Sequence, residues 1–378
     1  MKQKVYRALL SLTPSSIKSL QGTDRLGQGK RVLSIVRRYR CRGGVVRLFQ
    51  GSELLMNSYF GDAGQAGPMQ QDTFVRCASI SKMLTATCVL KLSEERRLSL
   101  DADVSQWLPF AIRHPLAPTQ PITLRMLMSH TAGIQDGKTY QQGVGSGVPA
   151  SSILAGDSYC NHRPGEAWSY SNFGAGLVGS VLEGILGQSF EEIMQQHLFR
   201  PLKVQASFYP DRIQDPLSDA WHILPPGRRP AFDAQARKKR RIPLADEAAP
   251  EQHYGLAQGN CCIQAQGLQT VLDALMNPGF LKESTLADMR RPLGSFGHRS
   301  PYLQQGMGIF QLQDKRISLH TLYGHQGNAY GAVHAAFFEP ISGRGLVFLS
   351  SGASAERQDF LSALVSDLLL TAFGDDRG

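Results

Sequence analysis

Runs of about 20 apolar residues, the length a helix needs to cross a bilayer, are missing from this 378-residue chain. Also missing are the Gly-x-Ser-x-Gly elbow, which argues against an α/β-hydrolase architecture, and the His-Glu-x-x-His, P-loop and dinucleotide fingerprints. The six cysteines, Cys41, Cys77, Cys88, Cys160, Cys261 and Cys262, contain no Cys-x-x-Cys pair, and adjacent Cys261-Cys262 do not suit a metal. No cofactor and no metal are therefore expected. Scattered free thiols fit a reducing compartment better than a disulfide framework. The amino terminus is basic at first, but its apolar piece, Ala8-Leu9-Leu10-Ser11-Leu12, is too short for a secretion segment. These absences make cytoplasmic the expected location.

What is present is ordinary for a globular protein: 42% hydrophobic and 19% charged residues, enough chain for a large core. The net charge of +9 is unevenly spread, with one basic group in residues 30–42 and another in Arg237-Lys238-Lys239-Arg240-Arg241. Such runs are most often solvated loops; attraction to an anionic membrane surface or polymer is the other reading. No aromatic interleaving or nucleic-acid motif accompanies them, so nucleic acid is not an expected partner.

Three short motifs carry chemistry. Ser79-Ile80-Ser81-Lys82 opens what reads as a helix running to about Glu95, with Met83, Leu84, Cys88, Val89 and Leu92 on a buried stripe. Three residues is nearly one turn, so hydroxyl and amine share a face. A serine needs a base to become nucleophilic, and a lysine serves only where burial or nearby charge lowers its pKa. Tyr170-Ser171-Asn172, after the turn Pro164-Gly165, sets a phenol and an amide two residues apart, so both can face one cleft. Gly324-His325-Gln326-Gly327-Asn328 precedes the strand-like run Ala332-Val333-His334-Ala335-Ala336-Phe337-Phe338.

Ordered in this way, Ser-x-x-Lys, Tyr-x-Asn and His-x-Gly resemble the serine β-lactamase and penicillin-recognising DD-peptidase family, in particular its class C-like branch. Supporting stretches are Leu98-Ser99-Leu100-Asp101-Ala102-Asp103-Val104, Ile122-Thr123-Leu124-Arg125-Met126-Leu127-Met128-Ser129-His130-Thr131-Ala132-Gly133, Gly187-Gln188-Ser189-Phe190-Glu191-Glu192 and Phe199-Arg200-Pro201-Leu202. The resemblance covers residues from about 43 to 372. It implies an α+β fold (α/β in some schemes): an antiparallel sheet flanked by helices, with a helical insertion. The expected division is an extension of unknown role over 1–42, a sheet subdomain over 43–100 plus 255–372, and a helical subdomain over 101–254.

By the same resemblance Ser79 is the nucleophile of an acyl-enzyme, and Lys82 and Tyr170 share the proton handling, with the identity of the base left open. Asn172 is expected to bond both Lys82 and a substrate amide. His325 is expected to donate to a substrate carboxylate or to Tyr170, and Gly327 to leave room for the substrate backbone. The amides of Ser79 and Asn328 are the expected oxyanion donors. His130 reads as structural, and Cys77 as a buried strand residue. The implied activity is hydrolysis of an amide or ester: a β-lactam, a D-amino-acid peptide or a small ester. A non-catalytic, penicillin-binding-like sensor or interaction protein is the alternative, and the oligomeric state is left open.

Between the motifs the chain reads as a hairpin over residues 45–56, helices beginning near Thr123, Phe173, Ser189 and Gly267, and a variable, proline-rich loop over 209–253. Two strands, 333–338 and 345–350, and a helix over 355–373 end it.

Overall fold

Nine antiparallel strands, drawn from both ends of the chain, form the frame on which the three motifs meet. The computed structural model describes residues 15–143, 148–213, 216–223, 228–230, 254–354 and 356–374. The basic run 237–241 and the apolar piece at 8–12 lie outside them. The strands are β1 (Gln21–Asp24), β2 (Gly43–Gln50), β3 (Glu53–Gly61), β4 (Gly294–Ser295), β5 (Leu303–Gln305), β6 (Phe310–Leu312), β7 (Leu322–Ala329), β8 (Ala332–Glu339) and β9 (Arg344–Ser350). Their order across the sheet is β1-β3-β2-β9-β8-β7-β6-β5-β4.

Both faces are covered, which explains the unbroken apolar look of the central strands. On β8, Val333, Ala335 and Phe337 point to one side and Ala336 and Phe338 to the other, following the two-residue period of a strand. The first side packs on α1 (Gly29–Arg38) and on the terminal helix α6 (Ala363–Phe373). The second packs on α5 (Ala265–Met276) and on the helices around α2 (Ile80–Glu94).

The expected boundary at residue 42 falls inside this packed unit. Strand β1 pairs with β3, Gln21 opposite Tyr59 and Asp24 opposite Met56. The buried residues Val32, Ile35 and Val36 of α1, together with Ile17, Tyr39 and Cys41, join the core under α6. Basic residues on the outer face of α1 had masked its apolar stripe.

Helix α2 is buried nearly all round from Ile80 to Leu92, rather than on one stripe. It is the central rod of the helical layer. Beside it runs α4 (Asn172–Leu186), whose glycines permit close crossing: a Cβ on Gly176 would strike the carbonyl of Tyr254, and one on Gly184 that of Trp107. Thr123 caps α3 (Leu124–Met128) by accepting from the Met126 amide at 3.2 Å. The terminal helix begins at Ala363, eight residues later than expected. The backbone before it is held elsewhere: Gln326 donates to the Phe360 carbonyl (2.9 Å) and accepts from Ser362 N–H (2.9 Å), and Phe360 N–H donates to Ser300 Oγ (2.8 Å).

All six cysteines are free thiols, and Cys77 is buried directly after the short strand Val75–Arg76. Among the described residues no helix is long and apolar enough to cross a membrane.

Candidate active site

Ser79 is the N-cap residue of α2, and its side chain makes no capping hydrogen bond. Its Oγ is thereby left for other partners, at the positive end of the helix dipole. The preceding Ala78 has φ +50°, a left-handed turn that swings the chain from the strand Val75–Arg76 into the helix. One turn on, Lys82 is only 4% exposed. Its Nζ lies 3.0 Å from Ser79 Oγ, 2.9 Å from Asn172 Oδ1 and 2.6 Å from the carbonyl oxygen of Gln258.

These three partners are not equivalent. The Gln258 carbonyl and Asn172 Oδ1 can only accept, so they claim two hydrogens of the amine. In the neutral amine the lone pair is then left to the Ser79 hydroxyl. Burial lowers the pKa of Lys82 to about 7, against smaller raising effects from Asp136 and Cys77. The neutral form is therefore well populated near neutral pH.

Tyr170 borders the same cavity as Ser79. Its ring packs on His130, with centroids 4.3 Å apart, and on Trp168 and Phe360. Lys82 Nζ sits 5.1 Å from the ring centroid. Burial pushes the phenol's pKa well above its ordinary value, and a smaller lowering influence of the nearby Ser79 side chain only partly offsets it. Tyr170 therefore stays protonated where Lys82 does not.

Asp136 went unnoticed in the sequence, three residues beyond the Gly133 turn. Its carboxylate lies under the start of α4 and accepts from Asn172 N–H (3.0 Å), Phe173 N–H (2.9 Å), Ser171 Oγ–H (2.9 Å) and Asn172 Nδ2–H (2.8 Å). Ser171 Oγ in turn accepts from Gly174 N–H at 2.9 Å. Gln258 was missed as well. No motif marks it, since it acts through its backbone oxygen.

His325 lies on β7, 1% exposed and stacked on Phe310 with centroids 4.1 Å apart. Its Nδ1 is 2.6 Å from the carbonyl oxygen of Gln326 and so carries the ring hydrogen. Burial, with the Lys82 charge adding to it, pushes its pKa down to about 3. The ring is neutral near pH 7 and its one N–H is taken. The expected donation to a carboxylate or to Tyr170 is therefore not available to it in this state. His130, read as structural, belongs to the site's wall: besides packing on Tyr170 it accepts from Ser171 N–H at Nδ1 (3.2 Å).

A cavity of about 240 Å³ opens over these groups, lined by Ser79, Tyr170, Asn172, His325, Asn328 and Arg357 among others. Arg357 and Phe360 reach it because the chain before α6 is not helical. Gly327 is not part of the lining. A Cβ there would run into the carbonyl of Cys77, so this glycine lets β7 lie against the turn that carries Ser79. Gly327→Val is expected to overpack that contact, at a cost of about 1–3 kcal/mol. A thermal melt checks it, and an unchanged melting temperature contradicts the steric role.

The geometry can be set beside known proteins. A family model described as Beta-lactamase matches residues 25–369. Protein flp of Staphylococcus aureus (strain MW2) is 25% identical over 169 residues, 43% of this chain and 34% of that protein. The chain thus spans about a third of the length of that curated relative. Among solved structures, EstCE1, a hydrolase with promiscuous acyltransferase activity, superposes with a TM-score of 0.74 at 22% identity, covering 91% of this chain and 98% of that one. A D-stereospecific amidohydrolase from Streptomyces sp. gives a TM-score of 0.68 at 21% identity, covering 92% and 98%. At such identities the superpositions speak for the fold, which is the beta-lactamase/transpeptidase-like one. With the family model matching most of its length, this chain belongs to the beta-lactamase family.

Proposed function

We propose that the protein is a serine hydrolase that cleaves an amide or ester through an acyl-enzyme on Ser79. The observation that carries this reading is the 3.0 Å contact between Ser79 Oγ and a buried amine whose other two hydrogens are committed to pure acceptors. In this reading Lys82 is the base. Ser79 Oγ attacks the acyl carbon as its proton passes to Lys82 Nζ. The N–H groups of Ser79 and Asn328 receive the developing oxyanion. Tyr170 gives its proton to the leaving nitrogen or oxygen and recovers one from Lys82. Water then attacks the ester in the reverse sense and frees Ser79. Asn172 holds Lys82 and, with His325 and Asn328, borders the bound substrate. The site lies where the sheet part (43–100 and 255–372, extended by the packed residues before 43) meets the helical part (101–254).

Support for the substrate range is general: two structural neighbours are described as a hydrolase with promiscuous acyltransferase activity and a D-stereospecific amidohydrolase. A panel separates the substrates. Nitrocefin, a D-Ala-D-Ala peptide and a p-nitrophenyl ester are assayed in parallel, with a fluorescent penicillin and an acyl-phosphonate as labels. At least one substrate should turn over, with label mapping to Ser79 by peptide mass. Label on Ser79 with no turnover of any substrate points to a protein that acylates and stalls, as the sensor reading requires. Label at another residue ends the proposal.

A further inference from the structure

Asp136 touches the reacting serine nowhere in the hydrogen bonds described above, yet it is bonded to the residue that holds the base. We propose that Asp136 is the positioning residue of this site: by accepting Asn172 Nδ2–H it locks that amide so that Oδ1, and not the amine, meets Lys82. The inference rests on the serine hydrolase reading, but its geometry stands apart from it. Asp136 accepts both backbone N–H groups at the start of α4 and the side-chain N–H of Asn172, at 2.8–3.0 Å. A side-chain amide is free to rotate by half a turn, and its two ends look alike in size. Rotated, Asn172 would set an N–H against Lys82 and an oxygen against the Asp136 carboxylate, donor facing donor and acceptor facing acceptor. The carboxylate forbids that state. An asparagine at 136 has only one acceptor end, so it leaves either Asn172 N–H or Phe173 N–H facing a donor and holds the Asn172 amide less firmly.

A second consequence follows from charge. The groups that act on or hydrogen-bond Lys82 are Ser79, Asn172, the Gln258 carbonyl, Asp136 and Cys77, and Lys82 itself acts on His130 and His325, with the Tyr170 ring alongside. His130 and His325 are both held below their ordinary pKa by burial, so neither adds a charge near pH 7. Asp136 is the leading influence that favours the protonated amine, opposing its burial. Removing that charge lets Lys82 lose its proton at lower pH.

The test compares Asp136→Asn, Asp136→Glu and Ser171→Ala. Two readouts are taken: the 13Cε shift of Lys82 against pH by NMR, and the pH profile of kcat/KM on a p-nitrophenyl ester. Asp136→Asn should move both the lysine titration and the acid limb down by about one pH unit, and lower the plateau at least tenfold. Asp136→Glu should keep the limb near its original place while kcat falls, since the charge remains but the grip on Asn172 shifts. Ser171→Ala, which removes a helix cap and one Asp136 contact, should lower the melting temperature and leave the limb alone. A folded Asp136→Asn protein with titration and limb unmoved overturns the inference. So does a Ser171→Ala limb that moves equally. Where Asp136→Asn does not fold, Asp136→Glu decides, and unchanged kcat with an unchanged limb counts against Asp136. If the lysine titration shifts as expected but the wild-type protein takes no label at Ser79, the hydrolase reading fails and the positioning role stands.

Discussion

Ser79→Ala is expected to remove turnover of every substrate the wild-type protein accepts, by as much as about 10⁶-fold where the nucleophile carries the reaction. The replacement is clean because Ser79 Oγ caps nothing: α2 starts without a side-chain hydrogen bond from its N-cap residue. Stability should therefore stay within about 0.5 kcal/mol of wild type, so a fall in rate reports chemistry and not unfolding. Initial rates on the p-nitrophenyl ester, with circular dichroism melts alongside, check both halves. A variant that melts normally and still turns over within tenfold of wild type means that another group is the nucleophile. An intact-mass experiment with the acyl-phosphonate completes the test, since the alanine protein should gain no adduct.

The second large effect concerns Lys82. With its pKa lowered to about 7, the amine changes state within the range where enzymes are assayed. The sign is fixed by its role: a base must be unprotonated, so acylation should fall about tenfold per pH unit below 7 and flatten above it. The two buried histidines, both neutral there, add no limb of their own. Lys82→Ala should cost about 10²–10⁴-fold. Lys82→Arg is the sharper probe. It keeps a cation and several donors for Asn172 and Gln258, but a guanidinium never offers a lone pair at these pH values. Activity should be lost at every pH. An arginine variant with wild-type rates, or an enzyme with no limb near pH 7, would hand the base role to Tyr170. That outcome is disfavoured by the phenol's raised pKa, but the profile decides it.

Much of the frame is legible in one dimension because each signal is local. A turn glycine such as Gly51, a cap such as Thr123 or a mostly apolar run such as 332–339 acts within a few residues of itself. The misses have a common cause. Residues 360–362 lie at the start of a run that suits a helix, yet Gln326, some 35 residues earlier, takes their backbone groups, and the chain there forms a tight hairpin, Arg357–Gln358 pairing with Leu361–Ser362. Residues 29–38 look like a basic tail until α6 is there to cover Val32, Ile35 and Val36. Asp136 is one carboxylate among 31 acidic residues in the sequence, and only folding sets it beneath the start of α4.

The chain's own order of residues therefore decided which functional groups exist and which of them stand one helical turn apart, since Ser79 and Lys82 need nothing but a helix to share a face. It decided the family as well, through motifs that survive in order along the chain. Tertiary structure alone decided their chemical state. Burying Lys82 between an amide oxygen and a peptide carbonyl brings its pKa down to about 7. Burying His325 makes it neutral, although its N–H bond to the Gln326 carbonyl works the other way. Desolvation and hydrogen-bond direction belong to a position in space, which no spacing in a sequence can specify.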